Sequence, residues 1–206
     1  MEAYYQVIFL ALAAFWLGAC PFSVWVGHKF LGKDIRDYGD GNPGAANVFR
    51  AGGRKSYFLA LMLDIAKGVP FVYLAYSLWG FSEMVVVVVG LSAILGHAFS
   101  PLLGFKGGKS IAVTFGVLFA LPQHEILIAF IIFLLIGFLF IESDAWTVML
   151  GAVGSLGYLV ATKGNSWESL FMLCVLAILA IKHFNDLKTV PTRKVRILAW
   201  IQSRRR

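Results

Sequence analysis

Three polar clusters interrupt an otherwise apolar chain, and their residue types suit the binding of phosphate groups. The first runs Gly39-Asp40-Gly41-Asn42-Pro43-Gly44-Ala45-Ala46-Asn47-Val48-Phe49-Arg50. Its glycines permit turns in which several backbone N–H groups converge on an anion, and Asn42, Asn47 and Arg50 add side-chain donors. The same residues also make an ordinary turn-rich loop. The second cluster joins Gly96-His97, Ser100-Pro101 and Gly104-Phe105-Lys106-Gly107-Gly108-Lys109-Ser110, directly ahead of an apolar segment. Two glycines, a Lys and a Ser at a helix start offer exposed amides, the positive end of the helix dipole and an ammonium group. This is not a Walker A loop, which needs Gly six residues before the Lys; Leu103 holds that place. The plainer use of the segment is a turn carrying topogenic lysines. His97 beside it is either an orienting group or an imidazole bonded to a neighbouring carbonyl. The third cluster, Lys182-His183-Phe184-Asn185-Asp186-Leu187-Lys188, reads by itself as a polar helix end with cations near the negative pole of the dipole.

Other chemistries lack their residues. No His/Cys/Asp/Glu spacing matches a metal site, and there is no Gly-x-Ser-x-Gly nucleophile elbow. Neither a metal nor a cofactor is expected, and nothing in the chain points to nucleic acid. Asp64 and Lys67, three residues apart, share a helix face inside an apolar run. They are either a structural ion pair or an electrostatic support for a nearby site, because charges at membrane depth pair or face a polar cavity.

The elements that must position these clusters are membrane helices. Hydrophobic residues make up 59% of the 206 positions and charged residues 14%, and the mean hydropathy is +0.79. An ordinary soluble chain carries about 25% charged residues, so too few charges are present to cover a soluble surface. An apolar helix of about 17 to 25 residues spans the hydrocarbon core. Five runs approach that length: Tyr5 to Gly27, Tyr57 to Trp79, Met84 to Leu103, Ile126 to Ile141 and Ala145 to Ala161. Two are shorter, Ser110 to Leu121 and Trp167 to Ile181, and the first of these is a short or re-entrant helix. The expected fold is an all-α integral membrane protein of about seven transmembrane helices. It is read as one polytopic domain over residues 1–206.

Charge sets the orientation. The 18 Lys and Arg exceed the 11 Asp and Glu, giving a net charge of +7. With seven crossings and the N-terminus outside, Lys29, Lys33, Arg36, Arg50, Arg54, Lys55, Lys106, Lys109 and the eight cations from Lys182 onward all lie inside. Lys163 alone lies outside, which satisfies the positive-inside rule with a cytoplasmic C-terminus. The first run has no basic n-region and is too long for a signal peptide, so it is expected to stay as a helix. Cys20 and Cys174 fall within spans and are expected to be free, buried thiols. The tail from Thr192 to Arg206 mixes apolar and basic residues and reads as an interfacial anchor on anionic lipid.

The chain resembles the acyl-phosphate-dependent glycerol-3-phosphate acyltransferases, the bacterial PlsY family, over most of its length. That family's first motif, approximately Gly-Ser-Gly-Asn-x-Gly-Ala-Thr-Asn-x-x-Arg, is matched by Gly39 to Arg50, and its following Asp-x-x-Lys-Gly by Asp64, Lys67 and Gly68. Its second, Gly-His followed by Phe-x-Gly-Gly-Lys, is matched by Gly96-His97 and Phe105 to Lys109. The His-x-x-x-x-Asp signature of the other glycerolipid acyltransferases is absent. The resemblance implies transfer of a fatty acyl group from acyl phosphate to the 1-hydroxyl of glycerol 3-phosphate, giving lysophosphatidic acid and phosphate at the inner face of a bacterial cell membrane.

Acyl phosphate is a mixed anhydride, so phosphate leaves readily without an acyl-enzyme, and alignment with charge stabilisation suffices. A substrate phosphate oxygen is a candidate acceptor for the hydroxyl proton. Resemblance and local chemistry together assign Gly107, Gly108 and Lys109 to phosphate, and Arg50 with Asn42 and Asn47 to polar or phosphate groups of the substrates; Lys67 and Lys106 are further substrate-binding candidates. His97, Lys109 and Asn185 are the catalytic candidates. The partners implied are the two substrates and membrane lipids.

The chain departs from the family pattern at several places. Asp40 replaces the Ser of the first motif and Ala46 its Thr. Where the family has Ser-x-x-Ser this chain reads Ser143-Asp144-Ala145-Trp146, and the last motif survives mainly as Asn185. A divergent paralogue with another acceptor or no catalysis, and a small transporter or lipid-binding protein, are the alternatives. Polar residues grouped at one face, instead of strung through the spans, argue against transport.

Overall fold

The structure is a computed structural model that describes residues 2–190; the anchor expected over 192–206 lies outside the described residues. All the regular elements described are helical, as the composition requires of a chain that must satisfy its backbone inside lipid. The chain divides into two compact units, Met1–Pro122 and Gln123–Arg206.

In the first unit, α1 (Glu2–Ala19) and α2 (Phe22–Leu31) form one apolar run of 28 residues, Tyr4–Leu31. The run breaks at Cys20-Pro21, because proline lacks the N–H and its ring crowds the preceding turn. The short α3 (Ala45–Arg50) follows, then α4 (Arg54–Ala66) and α5 (Pro70–Tyr73), which continues as a wide turn over Leu74–Leu78. From α4 onward these form a second run, Arg54–Leu78, interrupted ahead of Pro70. The third, Glu83–Leu103, contains α6 (Glu83–Ala98). α7 (Ile111–Ala120) has ten residues, about 15 Å of helix, half the hydrocarbon thickness.

Small residues let these helices approach at backbone distance. A Cβ added to Gly96 would lie 2.0 Å from the Phe15 carbonyl oxygen, so α6 crosses α1 with nothing between them. A Cβ on Gly116 would lie 1.9 Å from the Ile65 oxygen, and α7 meets α4 in the same manner. This is the packing that lipid favours, since apolar side chains gain little from leaving hydrocarbon. It also fixes the end of α6, where His97 sits, against α1.

The Asp64 and Lys67 pair is structural in its contacts. Both are buried, with Lys67 Nζ 2.8 Å from Asp64 Oδ1. Ser23 Oγ donates to Asp64 Oδ2 at 2.5 Å, and Lys67 Nζ donates to the Cys20 carbonyl at 2.9 Å. Lys67 thus closes the break between α1 and α2. Removing one member of a buried pair strands the other, at a cost of about 3–5 kcal/mol, whereas replacing both with apolar residues costs far less. Lys67→Met should therefore lower the thermal unfolding temperature in detergent sharply, and Asp64→Leu added to it should recover most of the loss. A double variant no more stable than the single one would contradict this account of the pair.

In the second unit, α8 (His124–Phe140), α9 (Asp144–Lys163) and α10 (Trp167–His183) are joined by short turns. Lys163 Nζ ties the ends of all three, contacting the Glu125 carboxylate and, at 2.7 Å, Glu168 Oε1. Ser166 caps α10 by accepting from the Ser169 N–H at 3.2 Å. Along α8, Ile128, Ile132, Leu135 and Phe138 are about half exposed. An apolar exterior of this kind belongs in lipid rather than water.

Among the described residues, four helical runs are long and apolar enough to cross a membrane: the three named in the first unit, and Asp144–Lys163. The seven segments expected from the sequence all fall on helices, and the chain is an all-α integral membrane protein. Cys20 and Cys174 are free, as expected, but half-buried rather than buried. Cys20 sits at the helix break, between buried Ala19 and Pro21.

Candidate functional site

The first unit brings the two glycine-rich segments into contact. After a short turn at Ile35–Asp37, Gly39 and Gly41 adopt φ values of 58° and 70°. A side chain makes that left-handed conformation costly, and glycine does not. The two turns fold Asp40 toward α3. Its Oδ1 accepts from the Asn42 N–H at 3.3 Å, from Asn47 Nδ2 at 3.0 Å and from Arg50 Nη1 at 3.2 Å. Its Oδ2 accepts from Lys109 Nζ at 2.6 Å, across 69 residues of sequence.

Asn47 is the buried centre of this cluster. Its Nδ2 also donates to the Asn42 carbonyl at 2.9 Å, while its Oδ1 accepts from Arg50 Nη1 at 2.8 Å. Helix α3 sets these positions, placing Asn47 and Arg50 three residues apart on one face. Burial pushes the Asp40 carboxyl upward, but the hydrogen bond and charge of Lys109, with the bonds from Asn42 and Asn47, outweigh it and hold it below the usual carboxylate range. Asp40 is therefore ionised at neutral pH. Its contacts are present above the ordinary carboxylate range and fade only as pH falls through the lowered value.

The second segment is moulded onto His97, which is buried at the end of α6. The Gly108 N–H donates to the His97 carbonyl at 3.0 Å. A Cβ on Gly108 would lie 2.2 Å from His97 Nε2, and one on Gly107 would lie 2.0 Å from the His97 oxygen. The sequence reading offered these amides to phosphate. The Gly108 amide is engaged by the His97 carbonyl, and from this segment the ammonium of Lys109 reaches the Asp40 carboxylate. Phe105 and Ser110 both have φ of 64°, which is costly for residues other than glycine. Two strained residues within six positions mark a backbone shaped for a purpose other than its own stability. Lys106 is exposed beside them.

The remaining candidates lie apart from this cluster in their contacts. Lys67 is buried against Asp64 and the Cys20 carbonyl. In the second unit, Asn185 is exposed and its Oδ1 accepts from Lys188 Nζ at 3.0 Å. His183 is buried, with Nδ1 donating to the Leu179 carbonyl at 2.9 Å. Trp146, at one of the departures, donates from Nε1 to the Thr189 carbonyl at 2.8 Å.

The sequence reading missed Ser23 and took Ser100 only as a member of the second cluster. Ser23 completes the Asp64 pair, and buried Ser100 donates to the Ala19 carbonyl at 2.6 Å. Both serve carbonyls or charges around the Pro21 break, and that proline inside an apolar run was the available signal.

An apolar helical body with one cluster of Lys, Arg and Asn gathered on a carboxylate defines an integral membrane protein suited to anionic groups. Residues 8–192 match the family described as Glycerol-3-phosphate acyltransferase, and the chain belongs to that family. It is 32% identical over 202 residues to the glycerol-3-phosphate acyltransferase of Streptococcus equi subsp. zooepidemicus, covering 95% of this chain and 94% of the relative. It is 35% identical over 184 residues to that of Neisseria meningitidis serogroup C, covering 88% and 92%. The crystal structure of PlsY, an integral membrane glycerol 3-phosphate acyltransferase, in its glycerol 3-phosphate form is similar at a TM-score of 0.78 and 28% identity, over 88% of this chain and 90% of that one. Its lysophosphatidic acid form matches at 0.77.

Proposed function

We propose that the chain transfers a fatty acyl group from acyl phosphate to the 1-hydroxyl of glycerol 3-phosphate, with the site at the cytoplasmic face of a bacterial inner membrane. Family membership supports the acyltransferase class, the acceptor and the place in phospholipid synthesis. The observation that carries the assignment to residues is the convergence of Lys109, Arg50, Asn47 and the Asn42 amide on one anion.

In the reaction the acceptor oxygen attacks the acyl carbon, the carbon–oxygen bond to phosphate breaks, and phosphate leaves with the bonding pair. The hydroxyl proton passes to a phosphate oxygen, so no protein base is required. Lys109 and Arg50 stabilise the charge that grows on the leaving phosphate, and Asn42 and Asn47 orient it. His97 is a positioning residue, holding the Gly107-Gly108 segment that presents Lys109. Lys106 attracts the anionic substrates from an exposed position, Asn185 is a catalytic candidate on its match to the family's last motif alone, and Lys67 acts through the helix break it closes. Our reading counts seven crossings, the short α7 among them, with the N-terminus outside, an orientation in which both motifs share the side rich in Lys and Arg. A single polytopic domain is supported by a family match that runs through both compact units.

The donor is tested by phosphate release. Purified protein supplied with acyl phosphate and glycerol 3-phosphate should release one phosphate per lysophosphatidate formed, and acyl-CoA in place of acyl phosphate should give no product. Equal or faster turnover with acyl-CoA would overturn the donor assignment.

A further inference from the structure

Asp40 occupies the middle of the donors that the proposed function assigns to substrate phosphate. Its two oxygens meet the Asn42 N–H, Asn47 Nδ2, Arg50 Nη1 and Lys109 Nζ, all within 2.6–3.3 Å. A carboxylate with charge-assisted bonds of this kind presents to those donors much of what two oxygens of a phosphate would present. Asp40 is flanked by Gly39 and Gly41, and its side chain is 33% exposed, so the carboxylate has a way out to solvent that disturbs no packed core. Leaving, it would uncover two cations and two neutral donors already arranged around an anion.

We propose that Asp40 is an internal anion that fills the phosphate cradle of the unloaded enzyme and gives way to a substrate phosphate, so that it sets the affinity for phosphate groups and hastens release of the phosphate product. The inference rests on reading the cluster as the substrate-phosphate site. With Asp40 in place, Lys109 and Arg50 are largely neutralised, and an incoming phosphate has to displace a bound charge as well as lose its own water. Without it, the same donors face the phosphate unopposed. If Asp40 instead served to organise Lys109 and Arg50, its removal would scatter them and weaken phosphate binding, so the two roles predict opposite signs.

The test uses the full-length protein and its Asp40→Asn and Asp40→Ser variants. Inhibition by inorganic phosphate is measured with acyl phosphate varied and, in a second arm, with glycerol 3-phosphate varied. The inhibition constant for phosphate should fall about tenfold in both variants, the scale expected for removing two partly exposed charge contacts. Competition with either substrate at the lowered constant supports the proposal and shows whose phosphate uses the cradle. A constant that is unchanged or raised in both variants, with thermal unfolding like that of the unaltered protein, overturns it. Direct calorimetric titration with inorganic phosphate gives the same comparison independently of turnover. A protein that makes no lysophosphatidate contradicts the functional reading, whereas active variants with unchanged phosphate affinity contradict only the role of Asp40.

Discussion

Replacing Lys109 with Ala is expected to lower kcat/KM by about 100-fold or more, the usual loss when a preorganised donor to transition-state charge is removed. Lys109 is the cation that reaches from the Gly104–Ser110 segment to the anion held by Asn47 and Arg50. No other Lys or Arg lies within that segment except Lys106, which is exposed. A lysine supplies a compact charge, and an arginine in its place brings a longer, planar group. Lys109→Arg should therefore recover only part of the activity. Lys106→Ala should act chiefly on KM, by about threefold, because an exposed cation attracts substrate without aligning it. The measurement is the initial rate of lysophosphatidate formation over a range of each substrate. A Lys109→Ala protein within a fewfold of full activity would remove Lys109 from the phosphate site.

Alanine at Gly107 or Gly108 should be nearly as damaging, and for separable reasons. At Gly107 the added carbon would lie 2.0 Å from the His97 carbonyl oxygen and 2.7 Å from that of Ala98, so the main chain itself has to move. At Gly108 it would meet the His97 ring, 2.2 Å from Nε2, and a ring can be removed. Both variants should lose about 100-fold in activity, since displacing Lys109 by an ångström misaligns the charge it supplies. Paired with His97→Ala, the further cost of Gly108→Ala should largely vanish, while that of Gly107→Ala should persist. This double-mutant cycle isolates contact with the ring from contact with the backbone. Full additivity for Gly108 and His97 would show that the glycine is needed for some other reason.

Much of this was legible in the sequence because membrane burial writes itself in composition. The seven apolar segments, the short Ser110 to Leu121 among them, follow from the length of a hydrocarbon crossing. The pairing of Asp64 with Lys67 follows from helical spacing. Legible in type, though not in arrangement, was the anion site. Glycine spacing shows that Gly39 to Arg50 and Gly104 to Ser110 can each turn tightly, but no local rule places Asp40 against a lysine 69 residues away. Asp40 stands out in the sequence as an acidic residue in place of the family's Ser, and the structure shows it bonded to the very donors assigned to the substrates. The role of Gly108 was hidden for a similar reason. In sequence a glycine before a lysine suggests a free amide, whereas its engagement by His97 depends on how α6 ends. Both cysteines are half-buried because a position within an apolar run can lie on the side of its helix that faces lipid as well as on the packed side.

The central claim is that this chain makes lysophosphatidate from acyl phosphate with the Arg50 and Lys109 cluster. Its most direct test is product analysis by mass spectrometry on purified protein given acyl phosphate and glycerol 3-phosphate, beside an Arg50→Ala protein of equal thermal stability. The account predicts steady accumulation of lysophosphatidate by the unaltered chain, at least about 100-fold above the Arg50→Ala background. Lysophosphatidate at or below that background would contradict it.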